Sequence, residues 1–265
     1  MRPARRALDW WRLALVALWL ALAFALPARA DDRTLVYRPR LELPLLVVGF
    51  GAWTTTEVLK PRLAPRACRL CGSNPLDDGA QQHLIWKRHQ VARRASDWLL
   101  FAIVPGAALG TTLALGQADD RLRGAAVNTV ILGESMVLTN LLTQLTKYTV
   151  ARARPFVRLQ RKENRDFVAG PDDHLSFFSG HTSSTFALAV ATATTATLRG
   201  QRTAAAVAWP VGVGLAGLTG YFRIAADRHW LTDVITGALV GGLVGVLVPM
   251  LHRGEAREGA LPAPP

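Results

Sequence analysis

The sequence predicts an all-α fold, a multi-pass membrane helical bundle of about six core helices. Three observations predict it. Half of the 265 residues are hydrophobic and the mean hydropathy is +0.19, more apolar than an ordinary soluble domain. Several apolar runs reach about 18 residues or more, the length at which a helix crosses a bilayer. No segment recurs at a period of about 20 to 50 residues, which argues against a repeat array and for one bundle.

The elements follow in order. Residues 1–30 begin basic, run apolar over 13–26 and end Ala28-Arg29-Ala30. That is the pattern of a secretory signal cleaved after Ala30, with an uncleaved anchor helix as the alternative. Residues 31–96 hold a short apolar segment, 43–58, and a polar loop, 59–96, with the only cysteines, Cys68 and Cys71. Their CxxC spacing fits half a zinc site or a redox pair. No second pair exists to complete four zinc ligands, so a local disulfide or two plain thiols is expected. Residues 97–251 form the membrane core, with apolar runs at 97–116, 126–146, 181–198, 204–222 and 230–251. In the last run Gly237, Gly241 and Gly245 recur four apart, a spacing that lets membrane helices approach closely. Pro249 marks a kink or the end of that helix. The tail, 252–265, is polar, then Pro-rich, and is expected to be disordered.

The formal charge is +12. In a soluble protein this would suggest nucleic acid. Here Lys and Arg cluster in the loops between apolar runs, as the positive-inside rule and anionic headgroups require. Membrane lipids are the expected partners, and nucleic acid is not.

Three clusters carry chemistry. In LTKYTVARARPF, Lys147, Arg154 and Pro155 form K-x6-R-P, which can aim two cations into one space at the membrane surface. Alone, this could equally be a juxtamembrane basic stretch. Ser179-Gly180-His181 opens an apolar helix. A helix N-terminus favours anions, Gly180 allows close approach to the backbone, and His181 can exchange a proton near neutral pH. An ordinary N-cap would explain Ser179 but not the histidine. In YFRIAADRHWLTDVITG, Arg223, His229 and Asp233 form R-x5-H-x3-D. If both are helical, His229 and Asp233 share a face, and the carboxylate would fix the imidazole tautomer. The loops holding these clusters lie two crossings apart, so all three can converge on one membrane face.

The set resembles the type 2 phosphatidic acid phosphatase family, which shares its fold with vanadium haloperoxidases. That family shows K-x6-R-P, P-S-G-H and S-R-x5-H-x3-D. This chain has KYTVARARP at 147–155, FSGH at 178–181 and FRIAADRHWLTD at 222–233. Order and inner spacings match, and the resemblance covers about 100–251. Phe178 stands for the usual Pro and Phe222 for the usual Ser; loss of a hydroxyl at 222 could alter a phosphate contact.

The resemblance implies a haloperoxidase-like helical fold and a lipid phosphatase that needs no metal or other cofactor. His229 would attack phosphorus and form a phosphohistidine, Asp233 would orient it, and His181 would serve as acid and then base. Lys147, Arg154, Ser179, Gly180 and Arg223 would hold the phosphate oxygens. Substrates would be lipid phosphates such as phosphatidate or phosphatidylglycerophosphate, or isoprenyl and lipid diphosphates. Vanadate-dependent peroxidation and non-catalytic phospholipid binding or transport are the rival readings.

The resemblance, with the signal-like start, implies a bacterial inner-membrane protein whose site faces the periplasm. Charge counting points the other way: the loop 59–96 carries eight Lys and Arg and the loop 151–180 six, which would put the site in the cytoplasm.

Overall fold

Pro39, at the first helical position, opens α1 (Pro39–Val58), and the short α2 (Lys60–Leu63) follows it directly. The chain is described by a computed structural model over residues 35–115, 121–163 and 167–254. The expected signal or anchor at 1–30 and the tail beyond residue 254 lie outside the described residues.

The region 59–96, which reads as a polar loop, contains further helices. Asn74 caps α3 (Pro75–Leu84) by accepting from Asp77 N at 2.9 Å. Helix α4 (His89–Trp98) is strongly amphipathic and buries Ala92 and Ser96. It runs through a π-helical turn, Leu99–Ile103, into α5 (Val104–Leu115). The apolar run at 97–116 is thus the second half of a longer rod whose polar first turns escape a hydropathy reading. Helices α6 (Arg121–Val150), α7 (Pro155–Glu163), α8 (Gly180–Leu198), α9 (Arg202–Ala225) and α10 (Leu231–Leu251) complete the bundle. Among the described residues the only β pairing is two isolated bridges, Leu35 with Arg253 and Leu70 with Arg152.

Among the described residues, four stretches are long and apolar enough to cross a membrane: His89–Ala114, Arg123–Val150, Arg202–Ala225 and Leu231–Leu251. Helices α1 and α8, which the apolar runs also suggest, fall outside that set. Helix α1 carries Arg40, Glu42 and Glu57, and α8 is rich in Ser and Thr. Helix α8 has a different place in the fold. It is the central helix, packed against α10, α9, α6 and α5, and nearly all of its residues after the first turn are buried. Most of its hydroxyls are satisfied inside the bundle, although those of Thr194 and Thr195 are buried without a hydrogen-bond partner. Thr185 and Thr192 donate to carbonyls one turn back, Thr143 of α6 pairs with Ser183 at 3.1 Å, and Ser184 donates to Asn140 at 3.2 Å.

The glycine stripe of α10 sets the α8–α10 distance. A Cβ at Gly237 would lie 2.8 Å from the Ser179 carbonyl, one at Gly241 would overlap the Ser183 carbonyl, and one at Gly245 would lie 2.7 Å from the Ala187 carbonyl. Backbone meets backbone along three turns, which brings the N-termini of α8 and α10 together. Ser179 N donates to the Asp233 carbonyl at 3.0 Å across that junction. Pro249 sits in the last turn of α10, and the helix ends two residues later.

Candidate active site

Helix α6 delivers Lys147 near its C-terminus and stops at Ala151, whose φ of 48° breaks the helical path. The next residues run extended and buried. Arg69 N donates to the Ala151 carbonyl and Ala153 N to the Leu70 carbonyl, so the segment after α6 is pinned by the loop that holds the cysteines. Cys68 and Cys71 form a disulfide there. Pro155 then starts α7, leaving Arg154 at the bend.

Arg154 is 2 % exposed and fully engaged. Its Nε donates to the Asp172 carbonyl at 2.9 Å, Nη2 to Asp172 Oδ2 at 2.7 Å and Nη1 to the Arg228 carbonyl at 2.8 Å. Nη1 also lies 3.1 Å from His229 Nε2. The other ring nitrogen, Nδ1, lies 2.8 Å from the Ser176 carbonyl. A carbonyl only accepts, so Nδ1 carries the hydrogen and Nε2 keeps its lone pair on the Arg154 side. Burial lowers the His229 pKa well below its ordinary value, and Arg154, Arg223, Lys147 and His181 lower it further. The ring is neutral and held in one orientation.

Asp233 takes a different place from the one its spacing suggests. His229 precedes α10, so the pair does not share a helix face. Asp233 Oδ2 lies 3.6 Å from His229 Nδ1, beyond hydrogen-bond reach. It accepts instead from Trp230 N at 3.0 Å as a helix cap, from Ser176 Oγ at 2.5 Å and from Arg152 Nη1 at 2.5 Å. Arg152 also donates to Asp77 Oδ2 at 2.6 Å, and its guanidinium lies 5.4 Å from the centre of the Trp230 ring. Asp77 and Asp233 are fully buried and Arg152 nearly so. Asp233 therefore reaches His229 through Ser176, whose hydroxyl it holds and whose carbonyl holds the ring.

His181, in the first turn of α8, is held by a residue from α4. Its Nε2 lies 2.8 Å from Asp97 Oδ1, and its ring packs edge-on against Phe101 at 5.8 Å. Arg223, at the end of α9, approaches the same carboxylate at 3.8 Å and donates to Ser96 Oγ at 3.4 Å. Ser179 is the N-cap of α8 and accepts from Thr182 N and Oγ1. It is fully buried, whereas Gly180 lines the cavity with Lys147 Nζ close by.

One cavity of about 580 Å³ collects these groups. Lys147, Arg154, Gly180, His181, Arg223 and His229 line it, together with Asp97, Asp172 and Arg228. Its other wall is apolar, formed by Trp53, Leu100, Phe101, Pro105 and Met136. Burial alone would push the Asp172 carboxyl up, but Arg154, Lys147, Lys60 and Arg228 hold it down at about 2. Asp172 stays ionised and fixes its guanidinium partners in place. Six cations (Lys60, Arg93, Lys147, Arg154, Arg223 and Arg228) line the cavity against three carboxylates (Glu57, Asp97 and Asp172), which leaves excess positive charge at a helix N-terminus, an arrangement suited to an oxyanion with several oxygens.

Sequence reasoning missed Asp97, Asp172, Arg228, Ser176, Asp77 and Arg152. Arg228, beside His229, and Arg152, two residues before Arg154, carried a signal: each is an arginine inside a cluster already singled out. The others come from distant segments and carry none. Phe222, at the position where the resembled family has a serine, packs on Trp86 at 5.6 Å and does not line this cavity. Among the described residues, the His, Cys, Asp and Glu groups close enough to share one ion are Glu42, Glu134 and His252, none of which lines this cavity.

The family model described as PAP2 superfamily matches residues 128–256. No curated protein matches. A solved structure that the chain resembles is the first transmembrane PAP2 type phosphatidylglycerolphosphate phosphatase from Bacillus subtilis, with 16% identity, a TM-score of 0.46, and coverage of 82% of this chain and 96% of that one.

Proposed function

From the match of the PAP2 superfamily model to residues 128–256, we propose that the chain is an integral-membrane lipid phosphatase of that family, acting through a phosphohistidine on His229. The observation that carries this reading is the neutral, buried His229, with Nδ1–H tied to the Ser176 carbonyl and Nε2 beside Arg154. A nucleophile whose lone pair already faces a guanidinium meets a phosphate held by that same guanidinium.

In the first step the Nε2 lone pair forms a bond to phosphorus as the bond to the leaving oxygen breaks. The imidazolium of His181 gives that oxygen a proton. Asp97 accepts from Nε2–H of His181, which assigns the exchange to Nδ1. In the second step water attacks phosphorus, the P–N bond breaks, and neutral His181 takes the proton of the water. Lys147, Arg154, Arg223, Arg228 and the Gly180 N–H stabilise the charge on the non-bridging oxygens. Asp233 positions His229 through Ser176.

The apolar wall supports a lipid substrate. Phe101 is 73% exposed, on the outside of the bundle where acyl chains lie, and Trp53, Leu100 and Pro105 lead from it to the cations. The disulfide supports a site on the oxidising side of the membrane. It lies beside the β-bridge at Arg152, at the active-site end, and disulfides persist in oxidising compartments. Some of the basic residues that suggest the opposite orientation are occupied: Arg152 and Arg154 are buried in ion pairs, Arg158 pairs with Asp78, and Lys60 pairs with Glu57.

The test is phosphate release by detergent-purified protein on phosphatidate, phosphatidylglycerophosphate, an isoprenyl diphosphate and water-soluble glycerol phosphate. Release from one or more lipids with little from glycerol phosphate is expected. Equal turnover of glycerol phosphate would overturn the lipid reading, and no release from any would overturn the phosphatase reading.

A further inference from the structure

Glu42 of α1, Glu134 of α6 and His252, just past α10, meet far from the catalytic cavity. On α6 alone, the interval from Glu134 to Lys147 spans about 20 Å at helical rise. His252 Nε2 lies 3.1 Å from Glu134 Oε2 and 3.5 Å from Glu42 Oε2, and one ligand atom from each residue lies within 4.8 Å of the others. His252 is 7% exposed. The backbone fixes it from both sides: Val36 N donates to the His252 carbonyl at 2.7 Å, and Leu35 bridges Arg253.

The ring orientation points to a ligand. His252 Nδ1 lies 2.9 Å from the Val248 carbonyl, so Nδ1 carries the hydrogen and Nε2 faces the carboxylates. Neither Nε2 nor Glu42 Oε2 has a hydrogen-bond partner; the Nε2–Glu134 approach is close but not directed as a hydrogen bond. A neutral imidazole here turns a lone pair toward two anions. With the ring neutral, three acceptors converge, and a cation between them, a proton on Nε2 or a metal ion, makes the arrangement favourable. A proton on Nε2 would balance one of the two carboxylates, with Arg38 and Arg253 lining the same cavity, whereas a divalent ion bound between them balances both directly.

We propose that Glu42, Glu134 and His252 form a divalent transition-metal site that ties α1 to α6 and α10. The donor set selects among metals: imidazole with two carboxylates suits Zn²⁺, while Mg²⁺ and Ca²⁺ prefer oxygen alone. An Nδ1–H bonded to a backbone carbonyl is the outer contact that metal-bound histidines use to fix their tautomer. The fourth position opens into a cavity of about 840 Å³ between the same three helices, with room for water. The metal would anchor the near end of α1, whose far end carries Glu57 and leads to Lys60 beside Asp172 at the active-site end.

The experiment uses full-length, tag-free protein in detergent, stripped with EDTA, desalted and titrated with ZnCl₂ alone. Metal content after dialysis is measured for wild type, His229→Ala, His252→Ala and Glu134→Gln. Wild type and His229→Ala should each retain about one equivalent of Zn²⁺. His252→Ala should retain none and Glu134→Gln should bind at least tenfold more weakly. Zn²⁺ should raise the melting temperature only where the site is intact. Co²⁺ should give a visible d–d absorption in wild type that Zn²⁺ displaces, a readout that needs no variant. Equal uptake by wild type and His252→Ala would overturn the proposal. So would no stoichiometric uptake and no Co²⁺ spectrum in wild type, which would leave a protonated His252 between the two carboxylates.

Discussion

His181 and Asp97 illustrate how the site works at the scale of single residues. Asp97 touches the ring of the proposed acid rather than the phosphate, so it is a positioning residue. Asp97→Asn should lower kcat by about 10- to 100-fold, less than the roughly 10²–10⁴-fold that loss of a general acid itself costs, with little change in KM. It should also move the pH profile of kcat, which a purely structural defect would not do. His229 makes a different prediction. Its folded pKa lies well below the unfolded value of about 6.5, so between those two values the unfolded chain binds a proton that the folded chain does not. The stability tied to neutral His229 is complete above about pH 6.5 and declines as pH falls below it. Thermal melts in detergent from about pH 7.5 to 5 should show a falling melting temperature, and His229→Gln should flatten the slope. An unchanged slope would contradict the assignment. The motif spacing made His229, His181, Arg154, Lys147, Arg223 and Gly180 legible, because phosphoryl chemistry needs cations, a helix N-terminus and imidazoles in a fixed order. It misread Asp233, because x3 spacing fits a helix face and a helix cap equally well. Only the placement of His229 before α10 separates the two.

At the scale of elements, the junction of α8 with α10 sets the site. Gly241 has no room for any side chain against the Ser183 carbonyl. Gly241→Leu should separate the two helices, cost about 1–3 kcal/mol or more, and lower activity by misaligning Gly180 with His229. The check is the melting temperature with phosphate release; Gly242→Leu, at a position with open space, is the control and should be nearly silent. A wild-type melt for Gly241→Leu would contradict the packing account. This stripe was legible as a close-approach surface, although not its partner. Helices α3 and α4 were not legible, because their charged faces lower the hydropathy of 59–96. Yet α4 brings Ser96 and Asp97, and α3 brings Asp77. The run 181–198 was legible as a helix, but its Ser and Thr mark an interior position rather than a lipid-facing one. Hydropathy cannot tell these apart; the hydrogen bonds from α8 to α6 can.

At the scale of the whole molecule, the cations, the disulfide and the apolar entrance lie at one end of the bundle. Asp77, Arg152 and Asp233 join the cysteine-bearing loop to the surroundings of His229 through buried ion pairs, so the segment before the matched family region is part of the site's support. Orientation is testable on the disulfide. Intact cells treated with a membrane-impermeant reductant and then an impermeant maleimide should label Cys68 and Cys71. Labelling only after lysis would put the site on the reducing side. Charge counting could not give this, because it treats every basic residue as a free loop charge.

The central claim is that His229 carries the phosphoryl group. The most direct measurement is rapid quenching of detergent-purified protein during turnover of a ³²P-labelled lipid phosphate, followed by peptide mapping, with His229→Ala alongside. The account predicts an acid-labile, alkali-stable label on the peptide containing His229, absent from His229→Ala, and loss of phosphate release in that variant. A folded His229→Ala protein that releases phosphate at the wild-type rate would contradict it.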